Sequence, residues 1–318
     1  MRRIPKLIQF FEYLFIRLIF SLVQIMPGRL AILFGKGVGM LFYFFSSHLR
    51  QLTGENLAIA FPEKNKAGIR SLSRKTFRHF GANYIETVKI LHYSPQRLRS
   101  LIENDQQTEK FNSQMRRSPH GAVIISAHFG NIVLMGARMG IEGHKLNVVY
   151  GTTDNRFLDD YLIRLMKKAG INLLTRKKNG FYTNISAEII RRLLDGEMMT
   201  FFIDINWFVS KSVLVDFFGK SALTPRGPAH ILFDNPFPGY VIYIDRLDWR
   251  RHRIHIEEFP IDRSIHDKEE FIRHHMQKFT QFFEELIRRR PEQWFWFHPR
   301  WRIDYPSKYR RRFQRPKS

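Results

Sequence analysis

One histidine stands where a fold would place chemistry. In "SAHFGNIVLMG" (126–136), the apolar run GAVIISA (121–127) has strand length and leads into His128. A Phe-Gly-Asn turn then opens a second apolar segment that reads as a short helix, Asn131–Gly140. The carboxyl end of a strand, followed by a helix N-terminus, is where open α/β sheets hold their ligands. Amides around Phe129, Gly130 and Asn131 would face that place with the positive end of the helix dipole. A base beside an oxyanion-stabilising environment suits attack on a carbonyl. An imidazole base usually leans on a carboxylate, yet after His128 none occurs before Glu142.

Other chemistries lack their parts. There is no P-loop and no G-x-S-x-G elbow, so nucleotide cleavage and serine-hydrolase chemistry are not indicated. "GKGVG" (Gly35–Gly39) resembles a phosphate loop only superficially, because no strand precedes it; it reads as small-residue helix packing. The pairs His274-His275 and His252/His255 are not spaced to present two ligands on one helix face, so a metal site is not expected. The chain has no cysteine, which excludes disulfides and thiolate metal sites.

The elements that must position His128 follow in alternation. KLNVVY (145–150) reads as a strand. Asp154 or Asn155 caps a helix whose apolar residues, Phe157, Leu158, Tyr161, Leu162, Leu165 and Met166, keep helical spacing until Gly170. Then come a short strand NLLT (172–175), a helix Ile185–Leu194 and a buried strand MMTFFI (198–203) that leads to Asp204. Asp204 is thus either a site acid or a helix cap. VLVDFF (213–218), GYVIYIDR (239–246) and RIHIEEF (253–259) read as strands, and a long amphipathic helix covers about 268–290. Alternating strands and helices predict an α/β fold, a mixed sheet flanked by helices. Upstream, Pro62 breaks the segment 50–91, and the polar stretch Ser94–Ser118 reads as a link.

Charge and hydropathy suggest the partner. With 52 Lys+Arg against 29 Asp+Glu, the formal charge is +23. Such a surface seeks polyanions. No zinc-finger spacing, RNP signature or basic-region heptad supports nucleic acid. The amino end does support a membrane surface: "IPKLIQFFEYLFIRLIFSLVQIM" (Ile4–Met26) and "LAILFGKGVGMLFYFF" (Leu30–Phe45) are strongly apolar. Lys6, Glu12 and Arg17 interrupt the first run. In mid-membrane a charge costs roughly 2.5–3.5 kcal/mol, so these side chains are expected to snorkel or pair. No small-x-small cleavage site follows, which disfavours a signal peptide. Met1-Arg2-Arg3 favours a cytoplasmic amino end.

Six blocks in order resemble one family. "GENLAIAFPE" (Gly54–Glu63), "SAHFGN", "VVYGTTDNRFLDDYL" (Val148–Leu162), "RKKNG" with "LLDGEMMTFFID" (Leu193–Asp204), "VDFFGKSALTPRGPA" (Val215–Ala229) and "QWFWFHPRW" (Gln293–Trp301) carry the likeness. They are similar to the bacterial lipid A biosynthesis acyltransferases, the lauroyl/myristoyl transferase family of the lysophospholipid-acyltransferase group. The resemblance implies a glycerolipid-acyltransferase-like α/β domain. It also implies transfer of a fatty acyl group from a thioester, usually of acyl carrier protein or else acyl-CoA, to a hydroxyl of a membrane lipid. No metal or organic cofactor is implied, and His128 is expected to deprotonate that hydroxyl. At family-like positions Arg176, Lys177 and Arg226 are expected to hold phosphates of the acceptor or of the carrier's prosthetic arm.

Two positions depart from the family pattern. The family's His-x4-Asp/Glu places its acid at residue 133, where this chain has Val133, and Gly151 stands where an Arg often follows "VY". Three readings follow: a substitute acid (Glu142 or Asp204) or an unaided His128, a catalytically impaired relative that binds lipid or partners, or a divergent transferase with another acceptor. Arg300, beside Trp301, reads as a structural cation stacked on an aromatic. The chain is expected to divide into an anchor (1–50), a helical region (51–115), the α/β acyltransferase domain (116–305) and a basic tail (306–318). Its expected place is the cytoplasmic face of a bacterial inner membrane.

Overall fold

The computed structural model describes residues 5–103, 106–151, 155–175, 177–178, 181–182, 185–206 and 209–301, with backbone alone at 177–178 and 181–182. Helices α1 (Lys6–Ile25) and α2 (Gly28–Phe45) come first in the chain, and both are long and apolar enough to cross a membrane. Helices α3 (Ser47–Ala60), α4 (Lys66–Ile90), α5 (Pro95–Arg99) and α6 (Gln106–Arg117) lead to strand β1 (Val123–Ser126). The expected link at 94–118 is therefore largely helical. Its helices are hard to read because α6 buries only Thr108, Phe111 and Asn112, a stripe too thin for a clear period.

From β1 the chain runs α7 (Ile132–Ile141), β2 (Leu146–Tyr150), α8 (Arg156–Lys168), β3 (Ile171–Thr175), the short antiparallel pair β4 (Lys177–Lys178) and β5 (Phe181–Tyr182), α9 (Ile185–Leu194) and β6 (Met198–Phe202). Then follow the hairpin β7 (Ser212–Phe217) and β8 (Lys220–Pro225), α10 (Gly227–Asp234), β9 (Gly239–Arg246), β10 (His252–Glu258) and α11 (Lys268–Arg289). The main sheet has the order β10-β9-β1-β6-β2-β3. All its pairs are parallel except β9 with β10, so the sheet is mixed. The segment 213–218 is a strand as expected, but it belongs to the separate β7–β8 hairpin.

Strand alternation builds two layers. Val123 and Ile125 of β1 face a core shared with Leu193 of α9, Leu232 of α10 and Phe279 of α11. Ile124 faces the opposite cluster, with Leu134 and Met135 of α7 and Phe111 of α6. β1 lies between β9 and β6, and helices cover both its faces.

The amino-terminal helices join this body by specific contacts. Gly39 and Gly35 of α2 meet α4 backbone to backbone: a Cβ at Gly39 would lie 2.0 Å from the Phe77 carbonyl oxygen. The small-residue packing expected of "GKGVG" is therefore present. Lys89 of α4 is buried and donates to the carbonyls of Val23 (3.0 Å), Gln24 (3.0 Å) and Met26 (2.6 Å), satisfying the open end of α1. Two of the charged interruptions of α1, Glu12 and Arg17, meet α8 and its cap. Glu12 accepts from Asn155 at 3.1 Å, and the Arg17 guanidinium sits 5.8 Å from the ring centroids of Tyr13 and Tyr161. Asn155 is the observed cap of α8; Asp154 lies outside the described residues. The other side of α1 leaves Leu7, Phe11, Phe15, Leu18 and Leu22 exposed.

Candidate active site

His128 stands two residues past β1 and Asp204 two residues past β6. The strands are parallel neighbours with Ser126 opposite Phe202, so the register carries both residues to the same end of the sheet, side by side. His128 Nδ1 lies 2.9 Å from Asp204 Oδ1, and the His128 main-chain N–H donates to Oδ2 at 2.8 Å. The Trp294 indole N–H donates to the same Oδ2 at 2.8 Å.

Asp204 is buried, which by itself would push its carboxyl up. The neighbouring His128 ring, the two His128 hydrogen bonds and the Trp294 indole outweigh burial and hold it below the usual carboxylate range. A charged acceptor at Nδ1 selects the tautomer with its proton on Nδ1 and leaves a lone pair on Nε2. The His128 side chain is 28% exposed, and among the described residues Nε2 has no partner. Phe202 and Phe295 flank the ring at centroid distances of 4.6 and 5.8 Å. The arrangement presents one oriented imidazole with one nitrogen open to take a proton.

The turn after His128 is fixed from several sides. Gly130 has φ +63°, and a Cβ there would lie 2.1 Å from the Ile244 carbonyl oxygen, so only glycine fits. Its N–H donates to Gln293 O at 3.0 Å, and its carbonyl accepts from Asn83 Nδ2 at 2.8 Å. Phe295 N–H donates to His128 O at 3.1 Å. Asn131 caps α7 through Leu134 N–H (3.1 Å) and donates from Nδ2 to Glu86 Oε2 at 2.7 Å. The polar groups of Gly130 and the side chain of Asn131 are thus committed to holding the turn. The oxyanion role expected of them has no free Gly130 amide to draw on in this conformation.

Behind the turn lies a second ionic cluster. Glu86 of α4 pairs with Arg246, and His252 Nε2 lies 3.2 Å from Glu86 Oε1. Arg246 also donates to Asn83 Oδ1 at 2.7 Å. Burial opposes ionisation of Glu86, but Arg246, His252 and Asn131 together hold its carboxyl down at about 2.

Glu142, Val133 and Arg226 make their described contacts away from the His128–Asp204 pair. Glu142 lies at the far end of α7, paired with Arg138 and, at 3.3 Å, with Arg99; it does not orient His128. Val133 is partly buried and packs against the apolar cluster that holds Leu134 and Ile90. Arg226 begins α10 and pairs with Glu269 beside the start of α11. Arg176 lies outside the described residues, and the side chain of Lys177 is likewise not described. Arg300 is buried 5.2 Å from the Phe217 ring centroid, a structural cation on an aromatic as expected.

Sequence reasoning missed Trp294, Glu86, Asn83 and His298. For Trp294 a signal existed: a buried indole N–H must find an acceptor. The others act through contacts far apart in the chain and left no local trace.

The family model described as bacterial lipid A biosynthesis acyltransferase matches residues 2–303. Among curated proteins the chain is similar to a lipid A biosynthesis palmitoleoyltransferase of Escherichia coli (strain K12) and a lipid A biosynthesis acyltransferase of Shigella flexneri. Each is 20% identical over 283 residues, which cover 87% of this chain and 86% of the relative.

Proposed function

The chain belongs to the bacterial lipid A biosynthesis acyltransferase family, and from that premise we propose that it transfers a fatty acyl group from an acyl thioester to a hydroxyl of a lipid A precursor, with His128 as general base. The observation that carries this reading is the 2.9 Å contact of His128 Nδ1 with Asp204, which leaves Nε2 free. In the reaction the acceptor hydroxyl gives its proton to Nε2 while its oxygen attacks the thioester carbonyl carbon. Asp204, kept ionised, stabilises the imidazolium that forms and holds the ring in the productive tautomer. Collapse of the intermediate breaks the C–S bond, and the imidazolium returns its proton to the departing thiolate. Asp204 fills the orienting role that the family pattern assigns to residue 133.

Acyl carrier protein is the favoured donor over acyl-CoA, because an acidic carrier suits a surface of formal charge +23. The acceptor reaches His128 from the cytoplasmic face of the inner membrane. Support for this comes from α1: Gln9 and Glu12 touch Asn155, just past the carboxyl end of β2, so an exposed apolar helix flanks the same end of the sheet as His128.

The test is acyl transfer from palmitoleoyl–acyl carrier protein to an under-acylated lipid A precursor in detergent micelles, with wild type beside His128→Ala. Transfer by the wild type and its loss in the variant is the expected result. Equal rates would remove His128 as the base, and no transfer by either protein would favour an impaired, lipid-binding relative.

A further inference from the structure

The segment that follows α11 does more than brace Asp204. Trp294 binds Asp204 and Phe295 binds His128 through its main chain. Three residues on, His298 meets the other flank of the same site. Its Nε2 accepts the main-chain N–H of Asn206 at 2.8 Å, two residues beyond Asp204. Asn206 in turn donates from Nδ2 to Pro299 O at 2.8 Å, and the buried Arg300 donates to Asn206 Oδ1 at 3.2 Å. Asn56 of α3 donates to the carbonyls of Trp296 and His298, both at 2.8 Å. The backbone on both sides of the imidazole is therefore held.

A main-chain N–H can only donate, so Nε2 must be the acceptor and the His298 proton must sit on Nδ1. Nδ1 has no partner among the described residues and is not among the fully buried atoms without one. Burial, with Arg300 and His128 adding to it, pushes His298 down to about 4, so the ring is neutral at working pH. The result is a fixed, uncharged N–H donor on the same segment that holds Asp204 through Trp294 and His128 through Phe295, whereas the Gly130 amide is committed to Gln293.

We infer that His298 is a further catalytic residue, whose Nδ1–H donates to the thioester carbonyl oxygen as it becomes an oxyanion. When the acceptor oxygen bonds to the carbonyl carbon, the C=O π pair moves onto the carbonyl oxygen and the acceptor proton goes to His128 Nε2. His298 donates a hydrogen bond to the oxyanion and loses no proton. The pair then re-forms C=O, the C–S bond breaks, and the thiolate takes the proton from His128, giving ester and thiol. A preorganised neutral donor of this kind needs no rearrangement during the reaction, and such donors contribute about 10²–10³ in kcat.

This inference rests on the acyl-transfer reading, and two isosteric variants separate a catalytic from a structural role. In His298→Gln the side-chain oxygen reaches the Nε2 position and keeps the Asn206 bond, but nothing donates from the Nδ1 position. In His298→Asn an amide N–H occupies the Nδ1 position and the Asn206 bond is lost. With the palmitoleoyl–acyl carrier protein assay, His298→Gln should unfold at the wild-type temperature, keep its KM and lose about 100-fold in kcat. His298→Asn should be less stable yet turn over faster than His298→Gln. A kcat of His298→Gln within about threefold of wild type, a loss confined to KM, or His298→Asn slower than His298→Gln would overturn the inference. Should His298→Gln fail to fold, His298→Asn against His298→Ala decides: faster supports the donor, equal removes it. A His128→Ala variant as fast as wild type removes the underlying reading, while an inactive His128→Ala beside an unaffected His298→Gln removes only this step.

Discussion

Among the described residues two histidines pair with buried carboxylates, and the two pairs differ in what they leave open. His128 with Asp204 and His252 with Glu86 both join an imidazole to a buried, ionised acid. His252 is fully buried, and its carboxylate is shared with Arg246 and Asn131. His128 is 28% exposed and keeps Nε2 open. The ingredients alone do not make a site. What distinguishes the first pair is a nitrogen that a substrate can reach, while the second pair is sealed and supports the turn that carries the first.

The sharpest test of that distinction is on rate. Asp204→Asn cannot act as a charged acceptor for Nδ1–H, so acyl transfer should fall by about 10²–10⁴-fold, with His128→Ala at least as slow. Both should bind donor nearly as the wild type does, and a steady-state comparison of kcat with KM checks this. Loss of activity in His252→Gln equal to that in Asp204→Asn, without loss of stability, would erase the distinction.

The sealed pair should instead control stability. Glu86→Ala strands the Arg246 cation in the interior, and breaking a buried pair this way costs about 3–5 kcal/mol. Urea unfolding of the detergent-solubilised protein measures it; His128→Ala should show much the smaller change.

A smaller effect follows from titration. Glu86 is held at about 2 in the folded chain against an ordinary value of 4.5. Its stabilisation is therefore complete above about pH 4.5 and is lost as pH falls toward 2, since only the unfolded chain binds the proton in that window. The loss of stability between these values should be shallower in Glu86→Gln. An unchanged slope would mean that Glu86 is not the group responsible.

The smallest effect is expected where the family pattern departs most visibly. Val133→Glu restores the acid at the pattern's position, but Nδ1 has one proton and Asp204 already accepts it. Transfer should stay within about twofold of wild type. A large gain would show that Asp204 is an inadequate partner.

Much of the architecture is legible in the sequence because it is local. The strand 239–246 and the helix 185–194 agree with the structure to the residue, since a run of β-branched and aromatic residues and a clean helical period leave one reading. α5 and α6 escaped because their buried faces are narrow. His128 was found for the same local reason, a strand–turn–helix junction. Its acid is narrowed by sequence only to Glu142 or Asp204: Glu142 is nearer in the chain, but α7 carries it about 15 Å along the helix axis. Glu86, Trp294 and His298 stand 42 to 170 residues from His128 in the chain, a distance at which no periodicity speaks.

By itself, then, the chain's order of residues determined an α/β body, two apolar amino-terminal helices of which the second packs through glycine, and a histidine at a strand's carboxyl end. Only the tertiary structure decided what stands beside that histidine. β6 inserts between β1 and β2, and its parallel register with β1 brings Asp204 level with His128. Strand order and register are set by which faces bury together across the whole sheet, a long-range balance of packing that no neighbouring residues encode.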